Sequence, residues 1–286
     1  MIEMVDNFWQ IEKTTIDIGL KREYKFFQFS DLHLSYNNKN SSKTDNDDFE
    51  RTHNQWDSLK REMASKFGEF CDERYDIPFD EILERIYKYA KKEKADAVIC
   101  SGDVMDRVTE SNLEYLGPFF KSSEVQTVFC LGNHESIQEN GEYHNLYSRI
   151  NRITEDSEFY VYDFDGFEIV SIDNGRREIS DRQIELFEKE IKKGKKIILL
   201  IHIPLKLGKY GEEINKKVNN YFVLGTPGDS ENVFKFMDLV KKNDKQIVAV
   251  LSGHIHTAFE GPITDNLMQY TASSALIGYL REICVK

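Results

Sequence analysis

Cysteine is scarce in this 286-residue chain: Cys71, Cys100, Cys130 and Cys284 are scattered, and none pairs as Cys-x-x-Cys. That excludes the thiolate zinc sites and dithiol redox chemistry such pairs support. Cys100 and Cys130 fall in apolar strand patterns and read as small core residues. Long apolar runs are missing too: none approaches the ~20 residues a membrane-spanning helix needs. Residues 1–6 have neither the basic start nor the apolar core of a signal peptide, so a reducing cytoplasm is the expected setting and no membrane partner is expected. Positive charge is not in excess. With 38 basic and 50 acidic residues the net charge is −12, which gives no general attraction for nucleic acid, though it leaves a local basic groove open. The densest basic run, 189–196, closes a predicted helix, where cations complement the dipole, and reads as a solvated face. No internal repeat or low-complexity linker divides the chain. At 40% hydrophobic content it can bury a sizeable core, and one domain over 1–286 is expected.

What is present is a repeated order of apolar strand, polar cluster and helix, the pattern of an α/β fold. Strands are predicted at 10–18 and 24–29 with a turn at 19–22, at 97–100 and 127–131, at 158–164 and 167–172 around an Asp165-Gly166 turn, and at 196–201 and 246–251. Short strands turning at Asp265-Asn266 complete the chain. Helical spacing covers 56–75, 79–92, 113–120 and 232–241, and Ser180 with Gln183 matches a capping box opening a helix that ends near Gly194. The stretches 37–48 and 206–230 read as loops, and Asp173-Asn174-Gly175 as a turn. Insertions at 36–76 and 206–230 are placed to cover a pocket.

Five predicted strands end in metal-binding residue types: Asp31 and His33; Asp103; Asn133; His202; and His254 and His256. Counting His134, five of the seven histidines fall at such ends. His53, in a polar stretch, and His144, in a tyrosine-rich one, read as structural or exposed. In α/β sheets, ligands gather at the carboxyl ends of strands. An imidazole and carboxylate set without thiolate suits manganese first, with iron, zinc or nickel as alternatives, over calcium. The ligands exceed one site, and two divalent ions sharing a carboxylate account for them. Paired metals can bind a bridging water, lower its pKa and clamp both oxygens of an in-line displacement at phosphorus, so phosphoester hydrolysis is the natural chemistry. His134, surplus to the metal count, can protonate the leaving oxygen if a carboxylate orients it.

Taken together, Asp31-Leu32-His33, Gly102-Asp103-Val104-Met105-Asp106, Gly132-Asn133-His134-Glu135, His202 and Gly253-His254-Ile255-His256 resemble, in order, the motifs of the calcineurin-like metallophosphoesterases. The resemblance implies a four-layer α/β/β/α sandwich with a dinuclear site at the strand edge. It implies one metal on Asp31, His33, Asp103 and His256, and another on Asp103, Asn133, His202 and His254. Asp103 would bridge, His134 would act as the acid, and Asp106 would orient it unless it merely caps the next helix. Arg107 resembles the phosphate-gripping arginine of the serine/threonine protein phosphatases. Those enzymes, however, carry Gly-Asp-x-His-Gly where this chain has Ser30-Asp31-Leu32-His33-Leu34. The expected partner is a small phosphomonoester or phosphodiester. The competing readings are a catalytically idle scaffold of the same fold and a nuclease, and nothing in the sequence speaks to oligomeric state.

Overall fold

The computed structural model describes residues 2–5, 8–66, 77–136 and 146–286. At its centre lie strands whose two faces are both buried. In β4 (Ala97–Ser101), Val98 and Cys100 join one apolar cluster while Ala97 and Ile99 join another. In β8 (Lys196–Leu200), Ile197 and Leu199 part from Ile198 and Leu200 in the same way. Successive side chains alternate across a strand, so a strand with apolar layers on both sides must read as a continuous apolar run.

Two sheets stack on the shared cluster. One orders β1 (Ile2–Val5), β2 (Trp9–Ile16), β12 (Tyr279–Val285), β3 (Tyr24–Phe29), β4 and β5 (Gln126–Cys130). The other orders β10 (Phe259–Pro262), β11 (Met268–Thr271), β9 (Ile247–Ser252), β8, β7 (Phe167–Ile172) and β6 (Phe159–Phe164). Aromatic rings lock them together: Phe26 of β3 meets Phe164 of β6 edge-on at 5.2 Å. Outside the first sheet, α2 (Phe79–Lys92) lays Phe79, Ile82, Leu83, Ile86 and Ala90 on the strands, α3 (Glu110–Ser122) adds Leu113 and Leu116, and the short α4 (Asn133–Ser136) and α5 (Leu146–Ile150) follow β5. Outside the second, α6 (Asp181–Lys193) and α8 (Glu231–Lys242) apply Ile184, Phe187, Val233, Phe236 and Val240. The expected α/β/β/α layering is therefore present. The capping box at Ser180 and the left-handed Gly194 bound α6 as predicted.

Three expectations change. Residues 19–22 do not join neighbouring strands, because β12 lies between β2 and β3, parallel to the first and antiparallel to the second. The expected loop at 37–48 is in part helix: α1 runs Lys43–Lys66 and carries His53 between the rings of Phe49 and Phe79. Apolar periodicity misses its first turns because the face they bury is polar, with Asp45 accepting from Ser111. Likewise 206–230 contains α7 (Gly208–Ile214), whose Tyr210 is buried and hydrogen-bonded to Thr271. His144 and part of the predicted 56–75 helix lie outside the described residues. No described helix is long and apolar enough to cross a membrane.

Candidate metal centre

Because β3, β4 and β5 are mutually parallel, as are β7, β8 and β9, the loops leaving them open on one edge of the sandwich. A cross-sheet hydrogen bond closes that edge: Gln28 of β3 donates to the Ser252 carbonyl of β9, and within its own sheet it donates to Ser101 Oγ. The loops bend sharply. Among the described residues seven non-glycine positions have positive φ, and five of them are Asp31, His33, Asp103, His254 and His256. A left-handed backbone costs such residues on the order of 1–3 kcal/mol each, and its concentration here marks a site that the surrounding packing holds in place. Close approach also demands glycine: a Cβ on Gly102 would lie 2.3 Å from His202 Nδ1, and one on Gly132 would lie 2.1 Å from Asp103 Oδ1.

The bends bring all seven expected ligands together. Asp31, His33 and His256 offer donor atoms within 4.8 Å of one another, as do Asp103, His202 and His254. His256 Nε2 stands 3.2 Å from Asp31 Oδ1 and 3.1 Å from His33 Nε2. Asn133 Oδ1 stands 3.0 Å from His202 Nε2. Asp103 lies between the groups, its Oδ2 3.3 Å from His202 Nε2 and 3.9 Å from His33 Nε2.

The donor set fits divalent cations. His254 Nε2 is buried without a hydrogen-bond partner among the described residues, and Asp31 Oδ1 is buried with only the His256 ring near it, an arrangement that is costly unless something positive or donating meets them. His202 Nδ1 donates to the Ser101 carbonyl at 2.7 Å, which turns Nε2 toward Asp103. Burial pushes His254 down to about 3 and His33 down to about 4, so both are neutral imidazoles, the form that binds metal. Burial opposes charge on His202 as well, but Asp103 outweighs it and lifts the ring to about 9.

Beside these groups, His134 Nδ1 lies 3.1 Å from Asp106 Oδ1 and 3.0 Å from the Asp106 carbonyl. Burial lowers His134, yet Asp103 and Asp106 raise it to about 10. Asp106 does not cap α3, which Thr109 does. Burial resists its ionisation, but His134 and His33 hold its carboxyl well below the usual range. Arg107 Nε sits 3.4 Å from Asp48 Oδ1, on the α1 side of the cluster.

Several residues that matter here carry no local signal. Glu135, fully buried, accepts the backbone N–H groups of Asp103, Met105 and Gly132 at 2.7–2.9 Å, clamping the β4 and β5 loops together. Asn174, read only as part of a turn, accepts from the N–H groups of His202 and Ile203 and donates to the Ile203 carbonyl. From α1, Trp56 Nε1 donates to Asp106 Oδ1 at 2.7 Å, Arg51 and Thr52 donate to Oδ2, and the indole stacks on His33 at 3.8 Å.

Residues 24–258 match the model of the calcineurin-like phosphoesterase family, and the chain belongs to that family. It is accordingly a phosphoester hydrolase of a family that works with divalent metal ions. A Fibrobacter succinogenes protein named "Probable cyclic nucleotide phosphodiesterase" is 22% identical over 204 residues, covering 66% of this chain and 69% of its own length. A dimetal phosphatase from Danio rerio shares the fold at a TM-score of 0.52 and 11% identity, with 89% of this chain and 88% of the other covered.

Proposed function

We propose that this chain is one domain that hydrolyses small phosphomonoesters or phosphodiesters with two divalent cations. Asp31, His33, Asp103 and His256 would hold one cation, and Asp103, Asn133, His202 and His254 the other. The observation that carries this is Asp103: one carboxylate oxygen faces a histidine of each donor group. When bound, the cations supply positive charge at the phosphoryl oxygens and a water of lowered pKa. The chain's own residues do the rest. With Nδ1 engaged by Asp106, His134 has Nε2 to present a proton to the leaving oxygen. Asp106 touches no substrate and acts by orienting His134, while Trp56, Arg51 and Thr52 fix Asp106. Arg107, whose Nε lies 3.4 Å from Asp48 Oδ1, is assigned no step in this scheme.

The test is purified protein with manganese against aryl phosphate monoesters and diesters. Turnover of at least one is expected, together with two metals per chain that fall in number for both sites in Asp103→Ala. Absence of turnover with manganese, iron, zinc and nickel alike would refute the proposal.

A further inference from the structure

The loop 253–256 would give one ligand to each cation, His256 to one and His254 to the other. Both histidines sit in the left-handed backbone region, with φ of +50° and +73°. Such a conformation lasts only where the surroundings over-determine it. We propose that the 206–230 segment is a clamp that holds this loop in its metal-binding shape, with Ile255 and Arg177 as positioning residues. This role rests on the two-cation reading and deepens it, naming residues that set the affinity for the cations without touching them.

The clamp grips the residue between the two ligands. An apolar cluster separate from the layers of the sandwich unites Tyr210, Ile214 and Val223 of the segment with Ile255, and Phe222 packs against it. Of its buried members only Ile255 comes from outside the segment. Tyr210 is fixed in turn: its hydroxyl lies 2.7 Å from Thr271 Oγ1, which lies 2.8 Å from Ser252 Oγ at the foot of the loop. Phe222 adds a ring 5.5 Å from that of His254. The loop also abuts the chain leaving β3, where a Cβ on Gly253 would lie 1.7 Å from Ser30 Oγ. So confined, it cannot relax its two left-handed residues without breaking up the cluster. A segment that merely covered the substrate would have no need to bury Ile255.

Arg177 closes the clamp from the loop that follows β7. Outside the proposed ligands, Arg177 and Lys94 are the only non-glycine residues with positive φ among those described. The Arg177 guanidinium spans both carboxylate oxygens of Asp229 at 2.8 and 3.1 Å and donates to the carbonyls of Tyr221 and Val223, the residues on either side of Phe222. Asp229 Oδ2 also accepts the N–H groups of Gly225 and Thr226 at 2.9 and 2.8 Å. The Arg177 N–H goes to the Asn174 carbonyl at 2.9 Å, and Asn174 in turn accepts from the His202 N–H. One planar fork thus ties the clamp to the framework of a third histidine, and a lysine, as a point charge, cannot span the same acceptors.

The experiment is calorimetric titration of metal-free protein with manganese, at a temperature where circular dichroism shows each variant folded. Arg177→Met should weaken binding about tenfold or more, the usual cost of losing a group that orients a ligand, and Arg177→Lys should fall between it and wild type. Ile255→Ala should weaken both cations, since the loop serves both. Phe222→Ala should weaken one cation more than the other, because its ring meets His254. Should Arg177→Met or Ile255→Ala fail to fold, Arg177→Lys and the milder Ile255→Val decide the matter by the same measurement. Wild-type manganese affinity in the folded variants overturns the proposal, even where they raise KM for an aryl phosphate, which would mark a simple cover over the substrate. Weakened binding in variants of a protein that takes up two manganese ions but hydrolyses nothing would uphold the clamp and remove the phosphoesterase reading. Hydrolysis by wild type, with variants that bind manganese unchanged, would do the reverse.

Discussion

Asp106 is enclosed: Trp56, Thr52 and Arg51 donate to it on one side, and the His33 and His134 rings stand 3.3 and 3.1 Å from Oδ1 on the other. A carboxylate so held cannot rotate away from His134, and the proton it keeps on that ring has a consequence for the metal-free protein. The folded pKa of His134, about 10, exceeds its ordinary 6.5. A raised pKa stabilises the fold fully below about 6.5, and that stabilisation is lost as pH climbs through about 10. Urea midpoints of metal-free protein should therefore decline over this window, and His134→Asn should flatten the decline. Glu135 makes a second residue-scale prediction. Each of its oxygens accepts backbone N–H groups, so the amide of Glu135→Gln must set donor against donor. A loss of about 1–3 kcal/mol is expected, read from chemical denaturation. The pairing of Asp106 with His134 was expected from the sequence, whereas the role of Glu135 was not open to inspection. Glu135 adjoins the expected ligands, but nothing in its neighbours says that three backbone donors from two loops converge on it.

Helix α1 shows what an element adds. Its polar first turns gave no apolar period, and Trp56 reaches Asp106 from fifty residues away, so sequence alone connects neither to the site. The proposed ligands were legible for the opposite reason: each follows an apolar run by one to five residues, and strand ends are fixed by local pattern. Trp56→Phe keeps a ring against His33 but removes the indole donor. Turnover of alkyl esters, whose leaving oxygen needs the proton, should drop several-fold more than turnover of activated aryl esters, as comparison of kcat values would show. With Trp9 as the chain's other indole, manganese titration should also quench fluorescence in wild type more than in this variant.

At the scale of the whole molecule, layering was readable because strands with two buried faces advertise themselves. Strand order was not, since alternation says that a strand has neighbours without saying which. β12 is the case in point: pairing Tyr279–Val285 between β2 and β3 unites segments more than two hundred residues apart in the sequence. Removal of residues 279–286 should abolish cooperative unfolding, measured by thermal melting with circular dichroism. The same strand sets a timetable for biosynthesis. On the ribosome, β3, β4 and β5 can be finished while β2 still lacks the neighbour that joins it to them, and the gap closes only after Tyr279–Val285 have emerged. Until then the edges of β2 and β3 lack the strand that lies between them, and each is a template for wrong pairing with another chain.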